Sequence, residues 1–406
     1  MLGVLFLFIF LFLVNQIIFS VYQKKHKFFD KKKMNLLYLF HTCFYGFYFW
    51  YAQNNPSDSK GYYETVRTHR GSWFELFGTD THFIDFLGYP FYSIGLSSFE
   101  LMMFLFSWFG YLGFVYAYMF FREKIPIKIK MFGVDFLTLL LFLPNMHFWT
   151  VSFAKGAPIF MGLMMFTYAI TDPRKRLFLL VLSSFIIFHI RPHVFMFVAV
   201  GAVVGYLSGQ EKISLQKKLL ISSGLIVTLL LVQDQILAVV GLQNSEDVVG
   251  GFTEFAEGRS SDLSRKAASG VDMSSYPLPF KLFTFWFRPL FIDAPSFMGF
   301  VTSFENLLYL LIFIKILNKD FFKFLLKSPS FVKMSAMIFL ATSFAMTFIM
   351  SNLGIIMRQK SMVMYYLFFV IYYYLAQKKY QKTLRLKKQK IAGQQGQKKD
   401  KQIISV

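Results

Sequence analysis

Five cations stand where apolar stretches end: Lys155 in HFWTVSFAKGAPIF, Arg191 in HIRPH, Arg288 in FWFRPLFIDAP, and Arg358 with Lys360 in NLGIIMRQK. A charge at the edge of a hydrocarbon-crossing helix calls for a partner of opposite sign. A phosphate-bearing ligand would supply one. Arginine grips phosphate through parallel N–H groups and lysine acts as a point charge, so several of them around one cavity suit a diphosphate. For any one of these residues alone, a stem that snorkels to lipid headgroups or pairs with a nearby acid is an equal contender. Position strengthens the set: Arg191 directly precedes Pro192, and Lys155 is flanked by Gly156 and Pro158. Helices break at such places, and the freed backbone groups line a cavity.

A transfer reaction at such a site also needs a group that takes a proton from an attacking hydroxyl. Asp58, opening DSKGYY, is the best-placed carboxylate for that role. Glu64, Asp80, Asp85 and Glu100 compete with it, and a turn or capping role is the commoner fate of a lone loop aspartate. Glu305, in SFENLLYL, is expected near the outer end of a span, where burial calls for a cation such as Arg288. His69, His82, His147 and His193 are expected on the same side, but their spacings match no metal motif, and neither a metal nor another cofactor is expected. Tyr62 and Tyr63, with Trp73, Trp149 and Trp286, offer flat faces on which a ligand could stack, although interfacial anchoring is commoner for tryptophan. Beside catalytic Asp58, the expected substrate-binding set is Lys155, Arg191, His193, Arg288, Glu305, Arg358, Lys360, Tyr62 and Tyr63.

The elements that must position these residues are membrane helices. Hydrophobic residues make up 55% of the 406-residue chain and charged residues 16%, and the mean hydropathy is +0.48. That is too apolar for a surface solvated by water. Eleven candidate spans lie near 2–22, 35–53, 98–121, 131–147, 157–171, 177–190, 194–208, 218–240, 298–318, 331–351 and 362–377. Cys43 reads as a small core residue, and Asp135 and Asp234 as interior pairs or interface residues. Loops 23–34, 122–130, 172–176, 209–218, 319–333 and the tail 378–406 hold thirty of the 43 Lys and Arg. The positive-inside rule then places the N-terminus outside and the C-terminus inside, and explains the net charge of +21 without nucleic acid. The expected architecture is an all-α, polytopic transmembrane helix bundle over 1–377. It carries two long extracytoplasmic loops, 54–97 and 241–297, and a basic cytoplasmic tail, 378–406, that is disordered or lies against anionic lipid.

Five patches, DSKGYY, HFWTVSFAKGAPIF, IRPHV, FRPLFIDAPSFMGFVTSFENLL and NLGIIMRQK, occur in that order along the chain. Together they resemble a family of uncharacterised bacterial polytopic membrane proteins grouped with lipid-phosphate-sugar-dependent glycosyltransferases and repeat-unit polymerases of exopolysaccharide or O-antigen. The resemblance implies a multi-pass protein of the bacterial inner membrane. It also implies glycosyl transfer outside the cytoplasm, from a polyprenyl-linked sugar donor to a saccharide acceptor, with membrane lipid and other polysaccharide-assembly proteins as further partners. Asp58 would be the counterpart of the first-loop acid of such transferases. Two other readings compete: a transporter or flippase of a lipid-linked or anionic substrate, and a non-catalytic subunit of an assembly complex.

Overall fold

Leu2–Lys25 holds no proline and one glycine near its start, and its run of Leu, Phe and Ile forms one unbroken 24-residue helix, α1. It is followed by α2 (Lys31–Asn54), α3 (Asp58–Thr68), α4 (Thr81–Ser93) and α5 (Phe99–Lys124). Caps start these helices where the sequence supplies them: Asp30 accepts from the Lys33 amide at α2 and Ser98 from the Leu101 amide at α5. The computed structural model describes residues 2–210, 215–239, 275–294 and 296–403, with 256, 258, 270, 271 and 273. Of the expected outer segment 241–297, most of the part before Tyr276 lies outside the described residues.

Four helices are long and apolar enough to cross a membrane: α1, α5, α13 (Phe297–Ile314) and α15 (Ser330–Ile349). Shorter apolar helices include α8 (Gly156–Ala169), α9 (Leu177–Ile190) and α10 (Pro192–Ser208). At 14 residues, α8 and α9 are each about 21 Å long against a hydrocarbon core of about 30 Å. The chain is thus an all-α membrane protein. The remaining helices are α11 (Leu215–Val239), α12 (Leu278–Phe287), α14 (Lys319–Leu326) and α16 (Leu353–Ile403).

The fourth expected span, 131–147, is broken. Lys130–Met131 (β1) and Val134–Asp135 (β2) form a hairpin whose turn places Phe132 and Gly133 at positive φ. Asp135 then caps a six-residue helix, α6 (Phe136–Leu141), and Pro144 starts another, α7 (Pro144–Trp149). Asp135 takes Arg122 at 2.6 Å and Lys33 at 3.7 Å, so it is a paired residue at a helix end. His147, expected at the outer surface, is fully buried, with its Nδ1 2.7 Å from His41 Nδ1 and its ring stacked on Phe114 at 4.1 Å. Cys43, expected in the core, is exposed on α2.

Glycines fix the closest helix contact. Gly201, Gly205 and Gly209 follow one another at four-residue intervals down one face of α10 and lie against Ile338, Met334 and Ser330 of α15. A Cβ at Gly205 would stand 2.7 Å from both the Met334 nitrogen and the Ser330 carbonyl oxygen. The two backbones are therefore in direct contact, as small residues four apart permit.

The basic loops gather at one end of the bundle. Arg176 pairs with Glu123 at 2.5 Å, Lys124 lies over the Phe331 ring, Lys333 donates to the Ser208 carbonyl, and Lys379 donates to the Lys128 carbonyl. The tail continues α16 as a helix, with exposed side chains from Lys378 to Ile391. Its Lys, Leu, Gln and Arg are good helix formers, and no glycine or proline intervenes before Gly393.

Candidate functional site

At the far end of the bundle two helix breaks, at Lys155 and Arg191, face the first turns of α16. Pro192 forces the residue before it out of the helical region, so Arg191 adopts φ −152°, ψ 85° between α9 and α10. Its guanidinium is directed inward, 8% exposed, and donates to Gln359 Oε1 of α16 at 2.7 Å. Lys155 stands at the head of α8, in a turn so tight that a Cβ on Gly156 would lie 2.3 Å from the Trp149 carbonyl. Arg358 lies one residue before Gln359 on the same helix.

Two carboxylates from the first long loop meet these cations. Asp58, the first residue of α3, accepts from Arg358 Nη1 at 2.7 Å. Asp80 accepts from Lys155 Nζ at 2.5 Å. Asp80 has φ 60° and ψ −116°, a conformation that costs an aspartate about 1–3 kcal/mol. Its own amide donates to the His189 carbonyl at 2.6 Å, which ties the strained turn to the end of α9. Burial alone would raise the Asp80 carboxyl, but Lys155 and Arg191 outweigh it and hold the group below its ordinary value.

The cations act on one another: Lys155 feels both Arg191 and Arg358, and Arg191 feels Arg358. Tyr62, one turn along α3 from Asp58, is buried against Phe153 within the field of Arg191. Two polar atoms in this cluster are buried without a protein partner, Arg191 Nε and His193 Nδ1. Buried polar atoms are rarely left so, and the Arg191 Nε–H is a donor that a ligand oxygen could meet. The structure thus joins Asp58, Lys155, Arg191, His193, Arg358 and Tyr62 around Asp80. It can hold an oxyanion between fixed cations while offering carboxylates to an adjoining hydroxyl.

The remaining expected residues lie elsewhere. Arg288 pairs with Asp293 in its own turn, not with Glu305. Glu305 accepts from the Asn145 amide at 2.8 Å and from the Tyr309 hydroxyl. Lys360 is fully buried and donates to the Arg288 carbonyl at 2.8 Å and to Asn306 Oδ1 at 2.6 Å. These three form an internal network that joins α7, α12, α13 and α16. Tyr63 turns away and donates to the Ser97 carbonyl, and Glu64 is taken by Arg67. Trp73 has one ring face stacked on Phe86 at 4.6 Å. Among the described residues no three His, Cys, Asp or Glu side chains gather as metal ligands.

Sequence reasoning did not foresee Gln359 as the Arg191 partner, and it ranked Asp80 only as a competitor of Asp58. The strained turn that aims Asp80 leaves no mark in residue type. Asp85, on α4, is also close to Lys155; it is 3% exposed and its Oδ1 has no partner. Burial pushes its carboxyl up to about 7, against the pull of Lys155. The folded protein therefore binds this proton more tightly than the unfolded chain. The resulting stability is full below the ordinary carboxylate range and is lost as pH rises through about 7. Between about pH 6 and 8 the wild type should lose roughly 1–2 kcal/mol from this group, and Asp85→Asn should flatten that slope in thermal unfolding. Equal slopes would show that Asp85 does not titrate there.

No family model, curated protein or solved structure matches this chain.

Proposed function

We propose that the protein transfers or polymerises polyprenyl-diphosphate-linked oligosaccharide on the extracytoplasmic face of the bacterial inner membrane, in surface polysaccharide biosynthesis. The observation that carries this reading is the convergence of Lys155 and Arg191, each at a helix break, with Arg358 of α16, beside Asp58 and Asp80 and with a buried, partnerless Arg191 nitrogen among them. The crowding of the basic loops at the opposite end is consistent with that end facing the cytoplasm.

In the reaction, an acceptor hydroxyl oxygen bonds to the anomeric carbon of the donor sugar as the bond from that carbon to the diphosphate oxygen breaks. The electron pair leaves with the diphosphate, where fixed cations stabilise it more strongly than they stabilise the ester. The hydroxyl proton passes to Asp58. That carboxylate becomes available when Arg358 exchanges it for a phosphate oxygen, and Tyr62 borders the space where the sugar would lie.

The test is the profile of lipid-linked and surface polysaccharide in a strain lacking the gene, complemented with wild type or Asp58→Asn at matched protein level. Asp58→Asn should cut polymer formation about 10²-fold, with single repeat units accumulating on lipid. Unchanged polymer and lipid-linked pools would defeat glycosyl transfer. A transporter reading draws on the buried Lys360 and Glu305 network, since charges kept within a helix bundle often mark a transport path. It predicts that lipid-linked units remain on the cytoplasmic leaflet.

A further inference from the structure

We propose that the basic end carries a binding groove for the headgroup of an anionic phospholipid, distinct from the cation cluster at the far end. The groove has a volume of about 1090 Å³ and lies between the β1–β2 hairpin, α14 and the first exposed turns of α16. Eight cationic side chains line it against a single carboxylate, Asp320. Lys130 comes from the hairpin, Lys323 and Lys327 from α14 and its end, and Lys378, Lys382 and Arg385 from α16. None of the eight forms an ion pair with a carboxylate among the described residues.

The walls are built rather than accidental. Phe321 of α14 packs edge-on against Tyr374 at 5.3 Å, and the Tyr374 hydroxyl donates to Asn318 Oδ1 at 2.9 Å. On the other side Lys379 donates to the Lys128 carbonyl at 2.9 Å, and the Tyr372 hydroxyl to the Ile127 carbonyl at 3.3 Å. These contacts hold like charges together at a cost in mutual repulsion, which an anion in the groove relieves.

The position of the groove selects a lipid over a soluble anion. Most side chains of α16 are buried up to Ala376, and those from Lys378 to Ile391 are exposed, so the groove straddles the level at which this helix leaves the bundle. Beside it stand apolar side chains with nothing to cover them: Phe322 and Leu326, one turn apart on α14, are 60% and 73% exposed, and Phe132 at the hairpin tip is 66% exposed. A charged floor next to uncovered apolar side chains matches a phosphate headgroup with its acyl chains alongside, as interfacial helices bind.

The experiment measures retention of phosphatidylglycerol against phosphatidylcholine by the full-length protein in mixed micelles, by native mass spectrometry. Two charge-matched variants are compared. One removes groove cations (Lys323→Gln, Lys327→Gln, Lys382→Gln, Arg385→Gln). The other removes four cations from the same end outside the groove (Lys24→Gln, Lys25→Gln, Lys27→Gln, Lys31→Gln). The wild type and the second variant should favour phosphatidylglycerol, and the groove variant should lose about tenfold or more of that preference. All eight positions lie outside the buried core, and a monodisperse elution profile confirms that each variant folds. Equal loss in both variants would reduce the effect to general surface potential and overturn the proposal. So would displacement of the lipid by micromolar inorganic phosphate or by RNA, which would assign the groove to a soluble anion or a nucleic acid.

Discussion

Arg191→Ala should abolish polymer formation, by about 10³-fold, while leaving the protein as stable as the wild type. The two halves of this expectation come from the same geometry. The guanidinium is nearly buried, with one bond to Gln359 and a partnerless Nε, in a neighbourhood that includes Lys155 and Arg358. Removing it sacrifices one charge-assisted hydrogen bond, the attraction of Asp80 and the packing of its stem, but also relieves a desolvated charge and its repulsion by two other cations. Each of these effects is about 1–3 kcal/mol, and they oppose one another. The melting temperature in detergent should therefore move by no more than about 4 °C. Arg191→Lys keeps the charge but not the fork, and should recover only part of the activity. If Arg191→Ala melts far below the wild type, the residue holds the helices together and its place in a ligand site fails.

Lys360→Ala should behave in the opposite way, with a fall in stability of about 4 kcal/mol or more. The ammonium is fully buried and is shared by the Arg288 carbonyl and Asn306. Truncation leaves both acceptors unmet and opens a cavity along the former four-carbon stem. Lys360→Met refills most of that volume without a donor and should recover about half of the loss. Thermal unfolding of the purified protein separates the two variants. A Lys360→Ala protein that unfolds like the wild type would return this residue to the ligand-binding set and remove it from the internal network.

The contrast between Arg358 and Lys360 shows what sequence could and could not supply. Both read as members of one anion site because each is a cation at the end of an apolar stretch. Residues two apart on a helix point in nearly opposite directions, so the spacing itself argued against a shared cavity. Arg191 and Lys155 were legible because Pro192 and Gly156 mark the breaks that expose them. Asp80 was not, since its role depends on a positive φ and on a contact with His189, 109 positions later in the chain. The broken fourth span carried its own punctuation in Gly133, Asp135 and Pro144, outweighed by the apolar run FLTLLLFL. Gly201, Gly205 and Gly209 also had a readable four-residue interval, yet among so many apolar residues it did not stand out. The grouping of the basic loops was legible from charge alone, because that pattern is set by the membrane and needs no knowledge of packing.

The glycine seam between α10 and α15 decides which parts of the far end can move. Where two backbones touch without side chains between them, one helix cannot slide past the other without a clash. Arg191, at the head of α10, is thereby bolted to the frame. Asp58 and Asp80 belong instead to α3 and the turn before α4, segments on the outer side of the bundle with no such seam. The backbone of Asp80 is held by the His189 carbonyl, so what can give way there is the carboxylate. On the proposed function, an arriving anion would displace these two carboxylates from the cations, with no helix moved.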